Sequence, residues 1–153
     1  MNATYSTFST PVARRVDLGL TVLRIVLGII FLAHGSQKLF VFGLGGVTGA
    51  FTRMGVPLAT VTAPLVAAVE FLGGLVLIVG LFTRVAALLL AIDMLGAILL
   101  VKLKGGFFGG NGFEYELSLL AASAALTFAG PGAFALDNVF MGRRARAIDA
   151  RIA

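Results

Sequence analysis

The chain contains no cysteine and a single histidine, His34. The absence of cysteine excludes disulfide bonds, thiolate metal sites and a thiol relay carried by this chain. One histidine cannot supply both axial ligands of a bis-histidine haem held within one chain. The sequence therefore predicts no metal site and encodes no redox centre of its own.

Charged residues are also scarce. They make up 12% of the 153 residues, whereas 59% are hydrophobic, and the mean hydropathy is +1.03. A soluble domain of this size could not bury so much apolar surface, and large exposed apolar patches are covered by lipid or by a partner. These proportions predict an integral membrane protein.

The formal net charge is +5, which raises the question of nucleic acid binding. The basic residues lie at the ends of apolar runs and are not interleaved with aromatic residues on a polar face. This placement favours contact with anionic lipid head groups. We therefore expect membrane lipids as partners and no nucleic acid.

Four apolar runs follow one another along the chain. Each has about the 20 residues needed to cross a hydrocarbon core about 30 Å thick, the last being slightly short. Because a helix satisfies its own backbone hydrogen bonds in lipid, the sequence predicts an all-α transmembrane four-helix bundle over residues 14–136. The predicted spans are residues 18–42, 59–82, 85–103 and 114–130. Glycine-rich stretches at 43–55 and 104–112 are predicted to break the helical pattern.

The basic residues also predict the orientation of the bundle. With both termini in the cytoplasm, arginines near residues 14–15, at the turn at 84 and in the C-terminal tail lie inside, and fewer basic residues lie outside. Residues 1–13 are predicted to be a flexible tail. Residues 137–153 are predicted to form either a short interfacial basic helix, with Asp137 as its N-cap, or a frayed tail.

Ionisable residues inside apolar runs are costly in a membrane and usually face the interior of the bundle. In this chain they are Arg24, His34, Lys38, Glu70, Asp93, Glu114 and Glu116. At about 100° per residue, Arg24, His34 and Lys38 lie on one stripe of the first helix. This stripe is predicted to face neighbouring helices.

The rise of about 1.5 Å per residue puts Arg24 about 9 Å from the inner end of its span and Asp93 about 12 Å from the start of its own span. Two polar clusters are therefore predicted. The inner-to-central cluster consists of Arg24, Glu70 and Asp93, and the outer cluster consists of His34, Lys38 and Glu116.

Each charged residue also has a purely structural interpretation. A pair of Arg24 with Asp93 or Glu70 can fix helix register. Lys38 can extend to the lipid head groups. Glu114 and Glu116 suit the positive end of a helix dipole. The glycines of the apolar runs are predicted to permit close helix packing. They are Gly28, Gly35, Gly73, Gly74, Gly80 and Gly96.

Several segments resemble the DoxX family of small bacterial membrane proteins. The run R-I-V-L-G-I-I-F-L-A-H-G-S-Q-K-L at residues 24–39 is similar to the first helix of that family. F-T-R-M-G-V-P, V-E-F-L-G-G-L-V-L-I-V-G-L-F-T-R, F-E-Y-E-L and G-P-G-A-F-A-L-D follow in the expected order at 51–57, 69–84, 113–117 and 130–137. The resemblance covers most of residues 18–137. The residues that match its recurring polar positions are Arg24, His34, Gly35, Lys38, Glu70, Arg84 and Glu116.

The resemblance implies a multi-pass protein of the bacterial cytoplasmic (inner) membrane. The family takes its name from a subunit of a thiosulfate:quinone oxidoreductase, so the resemblance implies a quinone-linked oxidoreductase accessory subunit, with quinone as cofactor. The alternatives are a structural or assembly subunit of a larger membrane complex, and a small anion or proton transporter. Whether the chain is itself an enzyme stays open at this point.

Overall fold

The structure is a computed structural model that describes residues 11–140. The remainder of the predicted N-terminal tail and most of the predicted C-terminal basic helix lie outside the described residues. Five α-helices lie wholly within the described range. They are α1 Pro11–Ser36, α2 Gly43–Arg53, α3 Ala59–Val79, α4 Thr83–Ala97 and α5 Glu114–Ala129.

Two of these helices continue as wider π-helical turns. α1 extends through Gln37–Val41, and α4 extends through Ile98–Lys102 before a short 3-10 turn at Leu103–Gly105. The π-helical turn inserts one extra residue per turn, so it changes the direction in which the following side chains point. Each of the two turns carries one lysine, Lys38 or Lys102.

Three helical segments are long and apolar enough to cross a membrane. They are Pro11–Val41, Ala59–Val79 and Thr83–Gly105. Their outward faces are apolar, with Val22, Leu65 and Ile92 more than half exposed, as expected of side chains in contact with lipid. The protein is therefore an all-helical membrane protein in its described part. α5, with 16 residues, falls short of the same length, and the fourth span and the orientation of the termini stay predictions.

The chain from 43 to 55 contains a helix where the sequence predicted an interruption. A positive φ of 67° at Gly43 breaks the chain direction, and α2 then runs to Arg53. Glycine costs a helix only about 1 kcal/mol per residue, and α2 recovers this cost by packing on α3, with Val47 buried. Tertiary packing thus overrides the weak helix propensity of this stretch.

Antiparallel packing of α1 on α3 is the closest helix contact in the described structure. A Cβ at Gly35 would lie 2.3 Å from the Phe71 nitrogen, and one at Gly74 would lie 2.4 Å from the Leu32 nitrogen. A Cβ at Gly28 would likewise lie 2.8 Å from the Gly74 carbonyl oxygen. The prediction of close packing is confirmed for these glycines and is wrong for Gly96, which has nothing within 4 Å of its Cβ position.

The core lies where α1, α3, α4 and α5 meet. Phe31, Leu77, Leu90 and Leu126 are almost fully buried there. This core holds α4 and α5 against the α1–α3 pair. Polar side chains lie at the two ends of the core.

Candidate functional site

An ion pair between α1 and α3 forms the centre of the candidate site. Lys38 Nζ donates a hydrogen bond to Glu70 Oε2. The Glu70 side chain is 5% exposed and that of Lys38 is 21% exposed. The glycine contact between Gly35 and the backbone at 70–71 brings the two helices close enough for this pair to form.

Asp93 of α4 completes what we call the central cluster, consisting of Lys38, Glu70 and Asp93. The Asp93 carboxyl group is buried close enough to Glu70 and Lys38 for their charges to act on it. Its Oδ2 atom is buried and has no hydrogen-bond partner among the described residues. Two carboxylates and one ammonium give the cluster a formal charge of −1 when all three are ionised. A net charge in a bundle interior is costly, so this arrangement favours binding of one proton or of a donor group.

Arg24 does not belong to this cluster, and its predicted grouping with Glu70 and Asp93 is wrong. In the antiparallel register, Arg24 lies beside Gly80, ten residues along α3 from Glu70. Ten residues correspond to about 15 Å along the helix, which is beyond the reach of an arginine side chain. Lys38 takes the place that was expected for Arg24.

Arg24 instead contacts residues 130–137, which we call the C-terminal strap. Its side chain is almost fully buried, and Nη2 donates a hydrogen bond to the Phe134 carbonyl oxygen at 3.1 Å. The strap is also attached to α1 through Thr21, whose hydroxyl group donates to the Ala133 carbonyl oxygen at 2.8 Å. These contacts close the end of the bundle at which α1 begins and α3 ends.

Asp137 caps α4. The sequence predicted that it would cap the C-terminal helix instead. The helical segment at 136–140 begins before it, and its carboxylate accepts hydrogen bonds from the backbone nitrogens of Phe82 and Thr83 at 2.7 and 2.9 Å. These N–H groups have no partner within α4 because they lie at its start. The same carboxylate lies close enough to Arg24 to attract its charge.

At the opposite end, His34 of α1 pairs with Tyr115 of α5. The His34 Nε2 atom and the Tyr115 hydroxyl oxygen are 3.1 Å apart. His34 also lines an open groove of about 440 Å³ on the outer side of α1. The groove is formed by Ala33, His34, Ser36, Gln37, Phe40 and Val41. Tyr115 also lies near Glu70 and Glu116, whose charges act on its hydroxyl group.

Glu116 pairs with Lys102 of the second π-helical turn. The Lys102 Nζ and Glu116 Oε1 atoms are 3.6 Å apart, and Lys102 also donates to the Gly110 carbonyl oxygen at 3.2 Å. Glu116 Oε2 is buried without a partner in the part of the chain that the structure describes. The predicted outer cluster of His34, Lys38 and Glu116 is thus divided among three different pairs.

Sequence reasoning missed Tyr115 and Lys102 as members of the site. Lys102 lies at the end of the third predicted span, where a basic residue is ordinary, and Tyr115 lies between Glu114 and Glu116, whose charges the helix dipole already explains. The signal available for Tyr115 was its position in F-E-Y-E-L, opposite the end of α1 that carries His34. Within residues 11–140, no three His, Cys, Asp or Glu side chains come together as metal ligands.

Comparisons with known proteins agree with the helical membrane architecture. Residues 19–103 match the family DoxX. The chain is 41% identical over 140 residues to an "Uncharacterized membrane protein" of Mycobacterium tuberculosis (strain ATCC 25618 / H37Rv), covering 84% of this chain and 85% of that protein. It is 39% identical over 129 residues to the "Putative oxidoreductase CatD" of Bacillus subtilis (strain 168), covering 84% and 92%.

A third relative is named for its membrane. The chain is 32% identical over 124 residues to the "Inner membrane protein YqjF" of Escherichia coli (strain K12), covering 80% of this chain and 92% of that protein. No solved structure matches the chain. The match over more than half of the chain, together with relatives that align along most of their own length, shows that this protein belongs to the DoxX family.

Proposed function

We propose that this protein is a quinone-linked accessory subunit of an oxidoreductase in the bacterial inner membrane. The observation that carries the proposal is the central cluster, in which Lys38 pairs with Glu70 and Asp93 is buried nearby, with one residue from each of three membrane-spanning segments. The oxidoreductase name of the Bacillus subtilis relative and the inner-membrane name of the Escherichia coli relative support the same setting.

The proposed topology has four spans, with both termini in the cytoplasm. α5 packs against α4 and α1 and is about 24 Å long, and the strap continues the chain towards the end where α1 begins. Arg14, Arg15 and Arg84 lie at that same end, as the positive-inside rule requires for a cytoplasmic face.

The residues near the groove fit a quinone head group. Quinone carbonyl oxygens accept hydrogen bonds, and Lys38, His34 and Tyr115 carry donors at this end of the bundle. The groove is open, with a volume of about 440 Å³, and its apolar rim of Phe40 and Val41 suits a hydrocarbon tail that extends into lipid. When bound, the quinone would supply two-electron chemistry, with electrons from a partner oxidoreductase. The chain would bind the head group, orient it and exchange protons through Glu70 and Asp93.

Quinone retention tests this proposal. The protein is purified from its native membrane in lipid nanodiscs, and the extracted quinone is quantified by mass spectrometry per mole of protein. We expect bound quinone in the wild type, and loss of most of it in Lys38→Gln/Glu70→Gln. This double variant removes both charges of the ion pair together, and the Asp93 carboxyl group that remains can stay neutral by binding a proton.

Lys104→Gln is the matched control, because Lys104 is exposed at the same end and lies outside the cluster. It should retain quinone at the wild-type level. Absence of quinone from the wild type, or equal retention in the double variant, would exclude the proposed quinone site. Isolation of a stable complex without quinone would support the structural-subunit alternative.

A further inference from the structure

We propose that the loop between α4 and α5 is a lipid anchor, in which Phe107 and Phe108 insert into the acyl chains at that end of the bundle. We call residues 106–113 the aromatic loop. Four observations support an anchor: the level of the loop along the membrane-spanning segment, its lack of charge, its internal hydrogen bonds and its exposed phenyl rings. Neither a bound quinone nor a particular orientation of the termini is needed for it.

The aromatic loop lies at the level of the membrane boundary. α4 and the turns that follow it form one membrane-spanning segment, Thr83–Gly105. At about 1.5 Å per residue, Lys102 lies about 28 Å from Thr83, which is close to the thickness of about 30 Å of a hydrocarbon core. Lys102 Nζ donates a hydrogen bond to the Gly110 carbonyl oxygen at 3.2 Å, so the loop folds back to this level. It therefore lies where the acyl chains meet the head groups.

The aromatic loop carries no charged side chain. Its sequence is G-F-F-G-G-N-G-F, and Asn111 supplies the one polar side chain in it. A loop that projects into water is usually polar, whereas phenyl rings and glycine suit the lipid side of the boundary. Lys104 precedes the loop and is exposed, so its long side chain can extend to the head groups while the rings lie among acyl chains.

The backbone of the aromatic loop forms hydrogen bonds within the loop. The Phe113 nitrogen donates to the Gly106 carbonyl oxygen at 3.2 Å. The Glu114 nitrogen donates to the Phe107 carbonyl oxygen at the same distance. Such bonds lower the cost of placing peptide groups near hydrocarbon, where unpaired groups are expensive. The folded-back shape requires glycine at 112, because a Cβ there would lie 2.4 Å from the Phe107 carbonyl oxygen.

The phenyl rings form a small apolar surface that continues the lipid-facing surface of the span. Phe107 makes edge-to-face contacts with Phe108 and Phe113, with ring centroids 4.8 and 5.2 Å apart. These contacts position the rings, yet Phe108 is 77% exposed. Leu99 and Leu103, in the last turns of the same span, are more than half exposed. Lipid that covers these leucines lies next to the loop, and burial of the rings among acyl chains is favourable.

Tryptophan fluorescence in lipid vesicles tests the anchor. The chain contains no tryptophan, so Phe108→Trp gives a single reporter in the loop. The full chain is reconstituted in phosphatidylcholine vesicles whose acyl chains carry bromine, which quenches fluorescence, either close to the head group or close to the chain end. We expect the shallow bromine to reduce the emission by about half or more, and the deep bromine to reduce it less, as for an aromatic residue at the interface.

Ile92→Trp is the matched control on the same span. Ile92 is more than half exposed and lies about 14 Å from Thr83, near the middle of the bilayer, so the deep bromine should quench it more strongly. Phe107→Trp is a second reporter in the loop and should behave as Phe108→Trp does, which keeps the test valid if one variant folds poorly.

Two results would overturn the inference. Emission at the wavelength of tryptophan in water, without quenching by either bromine, would place the loop in water. Blue-shifted emission without bromine quenching would show that the rings are covered by protein, as in a contact with a second copy of the chain. Quenching by the shallow bromine in a protein that binds no quinone would support the anchor and leave the quinone proposal to be rejected separately.

Discussion

The guanidinium group of Arg24 occupies the position where a side chain at Gly80 would begin. A Cβ at Gly80 would lie 1.4 Å from Arg24 Nη1 and 2.7 Å from the Ala135 Cβ. The contact joins α1, the end of α3 and the C-terminal strap at one point. Because Gly80 also has a φ of +71°, the position requires glycine for both its backbone conformation and its lack of a side chain.

Gly80→Ala is therefore expected to destabilise the protein by about 3 kcal/mol, from left-handed backbone strain together with displacement of Arg24. Thermal unfolding in detergent, followed by circular dichroism, measures the effect. Gly96→Ala is the control, since a Cβ there meets nothing within 4 Å, and it should change stability by less than about 1 kcal/mol. Equal melting temperatures for the two variants would contradict the Arg24–Gly80 contact.

The packing of α1 on α3 should be equally sensitive at Gly35. A Cβ there would meet the backbone of Phe71 at 2.3 Å, and backbone cannot move aside as a flexible side chain can. We expect Gly35→Ala to cost about 3 kcal/mol and to separate Lys38 from Glu70. Gly19→Ala on the same helix has open space and serves as the control in the same unfolding experiment. If Gly35→Ala unfolds at the wild-type temperature, the α1–α3 register is wrong.

Asp137 should stabilise α4 although it lies more than fifty residues away in sequence. Its carboxylate accepts hydrogen bonds from the N–H groups of Phe82 and Thr83, so Asp137→Ala is expected to cost about 1–2 kcal/mol. Asp137→Asn keeps one accepting oxygen and should recover part of this loss. Hydrogen exchange of the first turn of α4, followed by mass spectrometry, should report local opening in the alanine variant. Unchanged exchange there would show that the cap contributes nothing.

The two lysine–carboxylate pairs should differ in strength. Lys38→Ala leaves the buried Glu70 without its cation, and we expect a loss of about 3 kcal/mol that Lys38→Ala/Glu70→Gln partly restores. Lys102→Ala should cost less than about 1 kcal/mol, because the Lys102–Glu116 pair is longer, at 3.6 Å, and more exposed. Double-mutant cycles from denaturation curves compare the two coupling energies. A larger coupling for Lys102–Glu116 would contradict the burial of the central cluster.

The sequence by itself predicted that the protein lies in a lipid bilayer and that it is helical. Scarce charge and long apolar runs allow only lipid around most side chains, and lipid requires helices, because each helix satisfies its own backbone groups. The prediction that Gly28, Gly35 and Gly74 lie at helix contacts also followed from sequence, since small residues let helix backbones approach. The segments that resemble the DoxX family were also recognisable from the sequence alone.

The pairing of the charged residues was decided only by the tertiary structure. Depths counted along each helix placed Arg24 near Asp93, but the antiparallel register of α1 on α3 moved Arg24 to Gly80 and brought Lys38 to Glu70. Lys38 and Lys102 also lie in π-helical turns, whose residue spacing differs from that of the regular helix on which the prediction was based. Partners on separate helices depend on contacts between distant segments, and a one-dimensional pattern specifies the face of a residue but not which residue it meets.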